Sequence, residues 1–362
     1  MNEIDLLMAC CRTDGPTDSL EGLASKENQS SLIELARFHK VEPLLIRCAK
    51  KLALLSDLPN AARNLGLTAD LISIVQTFRS QGIDVLPHKG PLLALAAYRD
   101  LSLRSFIDLD LLVRTQDVSS ALVVLETLGY RRAERLAWVD PQTLVRWTGE
   151  TALHSPDGTS VDLHWRLTPP HYPVQLDASL LWPFQTVIRL AGTDLPTLAP
   201  EALLLVLAVH GAKHCWEAIG WLADVAWLAA DFSDSQWRAS VELAQRSRCE
   251  RPLYLAASLA HRVMGTALPQ FVQRSIQADS RIPRLESHVL DRWYRRAPKS
   301  PDSRELLRFA SLLARNPWET LKHIEGLVFW PTEAEWSRGE SAGPLQRARR
   351  ALRLLGKHVS GR

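Results

Sequence analysis

Two aspartates stand one residue apart in the stretch FIDLDLLV, which is otherwise apolar. Alternation places Asp108 and Asp110 on one face of a predicted strand, roughly 6.5–7 Å apart along the chain. The opposite, apolar face is formed by Ile107, Leu109, Leu111 and Val113. Two like charges on a buried strand cost free energy unless a positive partner compensates them. Mg²⁺ is such a partner, because it prefers carboxylate, phosphate and water oxygens.

A third aspartate, Asp162, lies in a second alternating stretch, SVDLHW, with Val161 and Leu163 on the opposite face. If this strand neighbours the first, three carboxylates meet and can hold two metal ions, which activate an attacking oxygen and stabilise a leaving one. His164 shares the face of Asp162 and would orient it or contact a substrate. The alternatives are an edge strand with a solvated acidic face and a histidine that is merely packed and hydrogen-bonded.

A glycine turn precedes the acidic strand in LPHKGPLLALAAY. We predict that a strand ends here, that Lys89 and Gly90 form the turn, and that a helix begins at Pro91. Helix N-terminal N–H groups bind phosphate, glycine allows close approach, and lysine adds a positive charge. With Arg104 following the helix, the pattern predicts a phosphate cradle beside a metal site. An ordinary strand-to-helix turn with a solvated lysine is the alternative.

Two histidines in HGAKH lie four residues apart on a predicted helix. His210 and His214 have a zinc-binding spacing, but a metalloprotease needs glutamate directly after the first histidine, and Gly211 is there instead. We therefore expect His210, Lys213 and His214 to face a cleft, with Lys213 reaching a phosphate; a solvated polar face is the alternative. Asp224, within an apolar helix, is expected to accept a hydrogen bond from Lys213 or from a backbone group, in a structural or catalytic role.

The order of these parts resembles the polymerase-β-type nucleotidyltransferase fold. More narrowly, HKG…Y…R…DLDLLV…VDLHW, within residues 83–167, resembles a bacterial nucleotidyltransferase family of largely uncharacterised members. Some members occur beside biosynthetic genes for ribosomally made peptides. The resemblance extends more weakly to LARFHKVEPLL and to the region from HGAKHCW to GWLADVAWL.

The resemblance implies a Mg²⁺-dependent enzyme that moves a nucleotidyl group from an NTP, with ATP as the default, to an acceptor and releases pyrophosphate. By position, two Mg²⁺ ions would be held by Asp108, Asp110 and Asp162. The phosphates would be held by Lys89, Gly90, Arg104 and Lys213, and the surrounding groups would be His164, His210, His214 and Asp224. The acceptor is open: a peptide, a protein side chain, a metabolite or an RNA end.

The glycine turn departs from the wider superfamily, which has Gly-Ser where this chain has Lys89-Gly90. Transfer of the γ-phosphate by a kinase therefore stays an alternative to nucleotidyl transfer. A further alternative, of another class, is a non-catalytic binding module or antitoxin-like protein that keeps the fold.

Helical patterns flank the region that carries these residues, which predicts an α+β protein built on a small mixed sheet. The resemblance implies that this sheet belongs to a polymerase-β-like core. We predict an N-terminal helical segment at 1–80, the nucleotidyltransferase core at 81–192 and a helical C-terminal domain at 193–330. A linker and a basic amphipathic helix would follow at 331–362.

The composition is that of a soluble globular protein, with 46% hydrophobic and 23% charged residues among 362. A net charge of +3 does not suggest a dedicated nucleic-acid binder. Five scattered cysteines show neither a disulfide framework nor a CxxC pair. We read no signal peptide and no apolar run long enough to span a bilayer. A cytoplasmic location is the resulting expectation.

Overall fold

The acidic stretch forms an inner strand of a small mixed sheet in the computed structural model, which describes residues 2–15, 26–48, 58–295, 299–331 and 333–336. The sheet has the order β1-β2-β4-β3. Its strands are β1 (Val85–Pro87), β2 (Asp108–Val113), β3 (Glu150–His154) and β4 (Ser160–His164). Strands β2 and β4 run parallel, and the other two pairings are antiparallel. The two stretches predicted as neighbouring strands are therefore neighbours.

Helices precede and cross the sheet. Before it come α1 (Glu3–Cys11), α2 (Lys26–Phe38), α3 (Glu42–Cys48) and α4 (Leu58–Ser80). Between its strands lie α5 (Gly90–Leu93), α6 (Val118–Thr127) and α7 (Pro141–Trp147). The helix predicted after the glycine turn is short, because α5 passes directly into a π-helical turn, Ala94–Tyr98.

A β-hairpin follows the sheet, with strands β5 (Gln185–Leu190) and β6 (Thr193–Leu198). The Thr197 hydroxyl donates a hydrogen bond of 2.7 Å to the Pro87 carbonyl, which attaches the hairpin to β1. The predicted boundary at residue 192 falls in the turn of this hairpin.

The remaining helices follow the hairpin, and most of them form a second body. They are α8 (Pro200–Lys213), α9 (Ile219–Leu228), α10 (Asp234–Arg246), α11 (Glu250–Leu259), α12 (Gln270–Ala278), α13 (Ile282–Trp293), α14 (Ser303–Leu313), α15 (Pro317–Phe329) and α16 (Glu333–Trp336). The α+β prediction is confirmed, since the described chain is mostly helical with a small mixed sheet. The narrower polymerase-β-like assignment stays a prediction.

Two hydrophobic cores stabilise the protein. One joins the apolar face of the sheet to α4 and α6, through side chains such as Leu109, Val161, Phe78 and Leu122. The other is helical, and it unites α1 and α3 with the C-terminal helices. The Trp227 indole, for example, donates a hydrogen bond of 2.8 Å to the Cys11 carbonyl. The N-terminal helices therefore belong to two different cores.

The segment predicted as a linker contains the short helix α16. Trp336 of this helix is fully buried in the core that joins the sheet to α4 and α6. The Trp336 carbonyl accepts a hydrogen bond from the Trp138 indole. At least this part of the segment is packed, and no linker is observed at 333–336. The predicted basic helix lies in residues 337–362, outside the described residues. Across the described part of the chain, no helix combines the length and apolar character needed to cross a membrane.

Candidate active site

The polar face of the sheet carries the acidic residues into a cleft. Asp110 and Asp162 occupy paired positions in the parallel strands β2 and β4, and Asp108 lies two residues earlier on the same face. On β3, Glu150 is paired with His164. All five side chains line one cavity of about 670 Å³, bounded on its other side by α8 and α9. Alternation thus brings the three aspartates together, as the sequence predicts.

Asp110 is already compensated by two cationic side chains. The Lys89 ammonium donates a hydrogen bond of 2.7 Å to Oδ1, and His164 Nε2 lies 3.2 Å from the same oxygen. Burial opposes the ionisation of Asp110, but Lys89 and His164 outweigh it and hold its pKa well below the usual range. Lys89 was predicted to bind phosphate; its ammonium is directed instead at the carboxylate.

His164 is the centre of a chain of charges. Its Nδ1 lies 3.0 Å from Glu150 Oε2, while Nε2 faces Asp110. Burial lowers the pKa of His164, but the two adjacent carboxylates outweigh burial and raise it to about 9. The ring is therefore an imidazolium at neutral pH. Lys213 extends the chain, with Nζ 3.1 and 3.2 Å from the two oxygens of Glu150.

Asp108 and Asp162 differ from Asp110, because the side chain of neither has a hydrogen bond or ion pair within the described parts of the chain. Burial, followed by the neighbouring Asp110 charge, raises the pKa of Asp108. Burial also raises the pKa of Asp162 to about 6; the nearby His164 charge opposes this shift, and the neighbouring aspartates add to it. Two partly buried, mutually repelling carboxylates therefore face the cavity without a counter-charge of their own.

Asp224 is bonded differently from the prediction. It accepts hydrogen bonds of 2.9 Å from Arg104 Nε and from the Tyr98 hydroxyl. The expectation that Lys213 would donate to Asp224 is wrong, because Lys213 ends α8 above β3 and pairs there with Glu150. Asp224, on α9, instead lies against the π-helical turn that ends at Tyr98. Arg104 and Lys213, both predicted phosphate contacts, are thus paired with carboxylates.

The family to which the chain belongs is shown by a match to a family sequence model. The sequence model of a family described as uncharacterised nucleotidyltransferase matches residues 25–265, about two thirds of the chain. The chain belongs to this nucleotidyltransferase family. The match contains the whole sheet, the hairpin and the helices that enclose the cavity.

Other comparisons add little to this assignment. One solved structure, described as an antigenic nucleotidyltransferase-like protein from Paracoccidioides brasiliensis, is 16% identical. The match covers 54% of this chain and 92% of that chain, with a TM-score of 0.32. Similarity at this level carries no argument, so the relationship depends on the family match. No curated protein sequence matches the chain.

In this member of the nucleotidyltransferase family, backbone conformation explains why the turn contains a glycine. Gly90 has φ +53°, in the left-handed region, and a Cβ there would meet the Asp108 carbonyl at 3.5 Å, an ordinary contact. Backbone conformation rather than space therefore favours glycine. A phosphate-binding role for Gly90 stays a prediction.

The donor set on this face suits a hard divalent cation. Asp108, Asp110 and Asp162 offer carboxylate oxygens, and the two without a counter-charge point into the cavity, which is what Mg²⁺ binding requires. A second grouping places ligand atoms of His88, Asp110 and His164 within 4.8 Å of one another. Imidazole nitrogens suit zinc and other transition metals better than Mg²⁺. Both groupings share Asp110.

The helical wall of the cavity contains His210 and His214, as predicted. Their ring centroids are 4.8 Å apart, and both rings contact Trp221. Burial, followed by nearby lysines, lowers the pKa of both histidines, to about 3 for His214. They are therefore neutral. Lys40 lies over the Trp221 ring at 5.1 Å from its centroid.

Three residues of this site were missed by sequence reasoning. Glu150 is the first residue of a predicted strand. Its position beside His164 depends on the order of the strands in the sheet, which a local sequence pattern does not reveal. His88 precedes the glycine turn and reads as the end of a strand. Lys40 lies in the N-terminal helical region, 49 residues before Lys89, and its one signal is that it falls within LARFHKVEPLL, where the resemblance is weak.

Proposed function

We propose that this protein catalyses Mg²⁺-dependent transfer of a nucleotidyl group from an NTP, with ATP as the default, to an acceptor oxygen, with release of pyrophosphate. The observation that carries the proposal is the pairing of Asp110 with Asp162, and the addition of Asp108, on one face of a sheet that opens into a cation-lined cavity. Membership of a nucleotidyltransferase family supports it.

The position of each aspartate in the cavity suggests its role in the proposed reaction. Asp108, Asp110 and Asp162 would hold two Mg²⁺ ions. When bound, these ions would activate the acceptor oxygen and neutralise charge on the departing pyrophosphate. Asp162 would also help to take the proton of the acceptor, because it lacks a cationic partner in the described chain.

The phosphates would enter an electropositive part of the cleft. Its lining includes Lys40 and Arg63, in addition to the paired cations Lys89, Arg104 and Lys213. Lys40 and Arg63 have no carboxylate partner among the described residues, so they are free to meet a triphosphate. Phosphoryl chemistry depends mainly on positioning and charge neutralisation, which such a lining supplies.

The position of the transferred label tests the reaction. The purified protein is incubated with Mg²⁺ and with ATP labelled at either the α- or the γ-phosphate, together with candidate peptides, proteins, metabolites and RNA ends. We expect α-label on the acceptor and pyrophosphate as co-product. Transfer of the γ-label with ADP as co-product would replace the proposal with the kinase alternative. Products from GTP, CTP and UTP establish the preference for the base.

A second candidate, a non-catalytic binding module that keeps the fold, is favoured by one observation. Lys89 and His164 already neutralise Asp110, so this aspartate does not require a metal ion as its counter-charge. Calorimetry with Mg²⁺ and each NTP, combined with the labelling experiment, separates the two. Absence of nucleotide binding, with no turnover on any acceptor, favours the module, whereas α-label transfer excludes it.

A further inference from the structure

Lys89 forms a buried ion pair with the aspartate at the centre of the proposed metal site. Its Nζ lies 2.7 Å from Asp110 Oδ1, with 11% of the lysine side chain and 5% of the aspartate side chain exposed. Removing two charges from water is costly, and their attraction offsets this cost only when the geometry is good. The ammonium thus occupies a position on Asp110 where an oxygen-seeking cation would bind.

The two cations on Asp110 are held very differently. His164 is anchored from behind, because its Nδ1 faces Glu150, and Glu150 is in turn bonded to Lys213. The Lys89 ammonium has three N–H donors, and Asp110 is its single partner among the residues that the structure describes. Of the two, Lys89 is therefore the one able to leave.

The surroundings of Lys89 allow it to leave without backbone movement. Its main chain is fixed at the junction of β1 and α5, next to Gly90, whereas its flexible four-carbon stem lies at the edge of the 670 Å³ cavity. A bound triphosphate would place phosphate oxygens in that cavity. These oxygens are acceptors for the donors that Lys89 does not use.

We propose that Lys89 is an exchangeable counter-ion. In the nucleotide-free protein it neutralises Asp110; when a divalent cation arrives with a nucleotide, the ammonium leaves Asp110 and binds a phosphate. This inference rests on the proposed function. It implies that metal alone binds weakly, since it must displace Lys89, and that nucleotide and metal strengthen each other's binding by the same factor.

The experiment measures Mn²⁺ binding without nucleotide, by electron paramagnetic resonance of the free ion, in wild type, Lys89→Met and Lys40→Met. We expect Lys89→Met to bind Mn²⁺ at least about tenfold more tightly than wild type, because the competing ammonium is gone. Lys40→Met is the matched control. It removes the same charge from the same cavity but no ion pair with an aspartate, so its affinity should change by less than about threefold.

Thermal unfolding provides a second measurement. Mn²⁺ should raise the melting temperature of Lys89→Met more than that of wild type, because the metal then restores the missing counter-charge. Lys89→Gln, a polar replacement, serves if the methionine variant does not fold. Equal Mn²⁺ affinity in wild type and in the Lys89 variants overturns the exchange while leaving the proposed function intact. Wild type that binds no Mn²⁺ with nucleotide and transfers no label overturns both.

Discussion

Arg104 and Asp224 join the sheet-bearing region to the helical body through a buried ion pair, with Nε 2.9 Å from Oδ1 across 120 residues of sequence. The Tyr98 hydroxyl bonds to the same oxygen. Because one wall of the cavity is the sheet and the other is α8 and α9, this pair fixes the distance between the two walls.

Breaking this pair should destabilise the protein strongly. Asp224→Ala leaves a guanidinium that is 14% exposed without its counter-charge, so we expect a loss of about 3 kcal/mol in the free energy of unfolding. Arg104→Met should cost a similar amount, and the double variant less than the sum, because the two residues interact directly. Urea unfolding of the four proteins measures the coupling. Strictly additive losses would show that the pair contributes nothing.

Asp108→Asn tests the proposed metal site without disturbing a pair. The change removes a negative charge from a repelling cluster, and Asp108 has no partner in the described chain to lose. We expect stability to be unchanged or slightly higher and turnover of NTP to fall by about 10²–10³-fold or more. The matched control is Asp231→Asn, because this carboxylate is 82% exposed on the helical body and its surface ion pair with Arg99 contributes little to stability. Wild-type turnover in Asp108→Asn would remove this residue from the site.

Gly90→Ala should be destabilising for conformational reasons alone. Alanine at φ +53° costs about 1–2 kcal/mol, while its Cβ makes only ordinary contacts. Gly66→Ala is the control, because Gly66 lies within α4 with open space around it. Alanine there should stabilise the protein by about 0.5–1 kcal/mol. Thermal and urea unfolding compare the two. Unchanged stability in Gly90→Ala would contradict the conformational explanation.

Buried His39 should make the protein acid-sensitive. Burial lowers its pKa from 6.5 to about 4, and the Arg292 charge acts in the same direction. The unfolded chain therefore binds a proton near pH 6.5, and the folded protein only near pH 4. The free energy of unfolding should fall as the pH drops through this window, by up to about 3 kcal/mol.

The comparison of wild type with His39→Gln isolates this contribution. Urea unfolding between pH 4 and pH 7 should give a shallower slope for the variant. The slope should not vanish, because His88 and His214 also have a pKa of about 3 and are protonated on unfolding. Parallel curves for the two proteins would rule out His39 as a source of acid sensitivity.

Local pattern was enough to predict the acidic face. Alternation in FIDLDLLV and SVDLHW predicts two strands, and the structure places them side by side with Asp110 opposite Asp162. The partners of these aspartates were not predictable in the same way. That Lys89 reaches Asp110 depends on β1 pairing with β2, and that Glu150 reaches His164 depends on β3 lying outside β4.

Long-range pairs were the least predictable. Lys213 and Asp224 lie 11 residues apart, and Lys213 was one of the two donors predicted for Asp224. The break between α8 and α9 turns the two side chains toward different partners, Glu150 and Arg104. The ion-pair partners of these two residues depend on how the helices pack against the sheet, and a single stretch of sequence does not determine that packing.

The sharing of one hydrophobic core by α1, α3 and the C-terminal helices has a consequence for folding during synthesis. The strands and helices between residues 58 and 198 mostly pack against one another. The hydrogen bond between Cys11 and Trp227, by contrast, can form only after more than 200 further residues have been synthesised. We therefore expect the sheet to fold first on the ribosome. The N-terminal helices would then be incorporated last, closing the cleft wall around a sheet that is already formed.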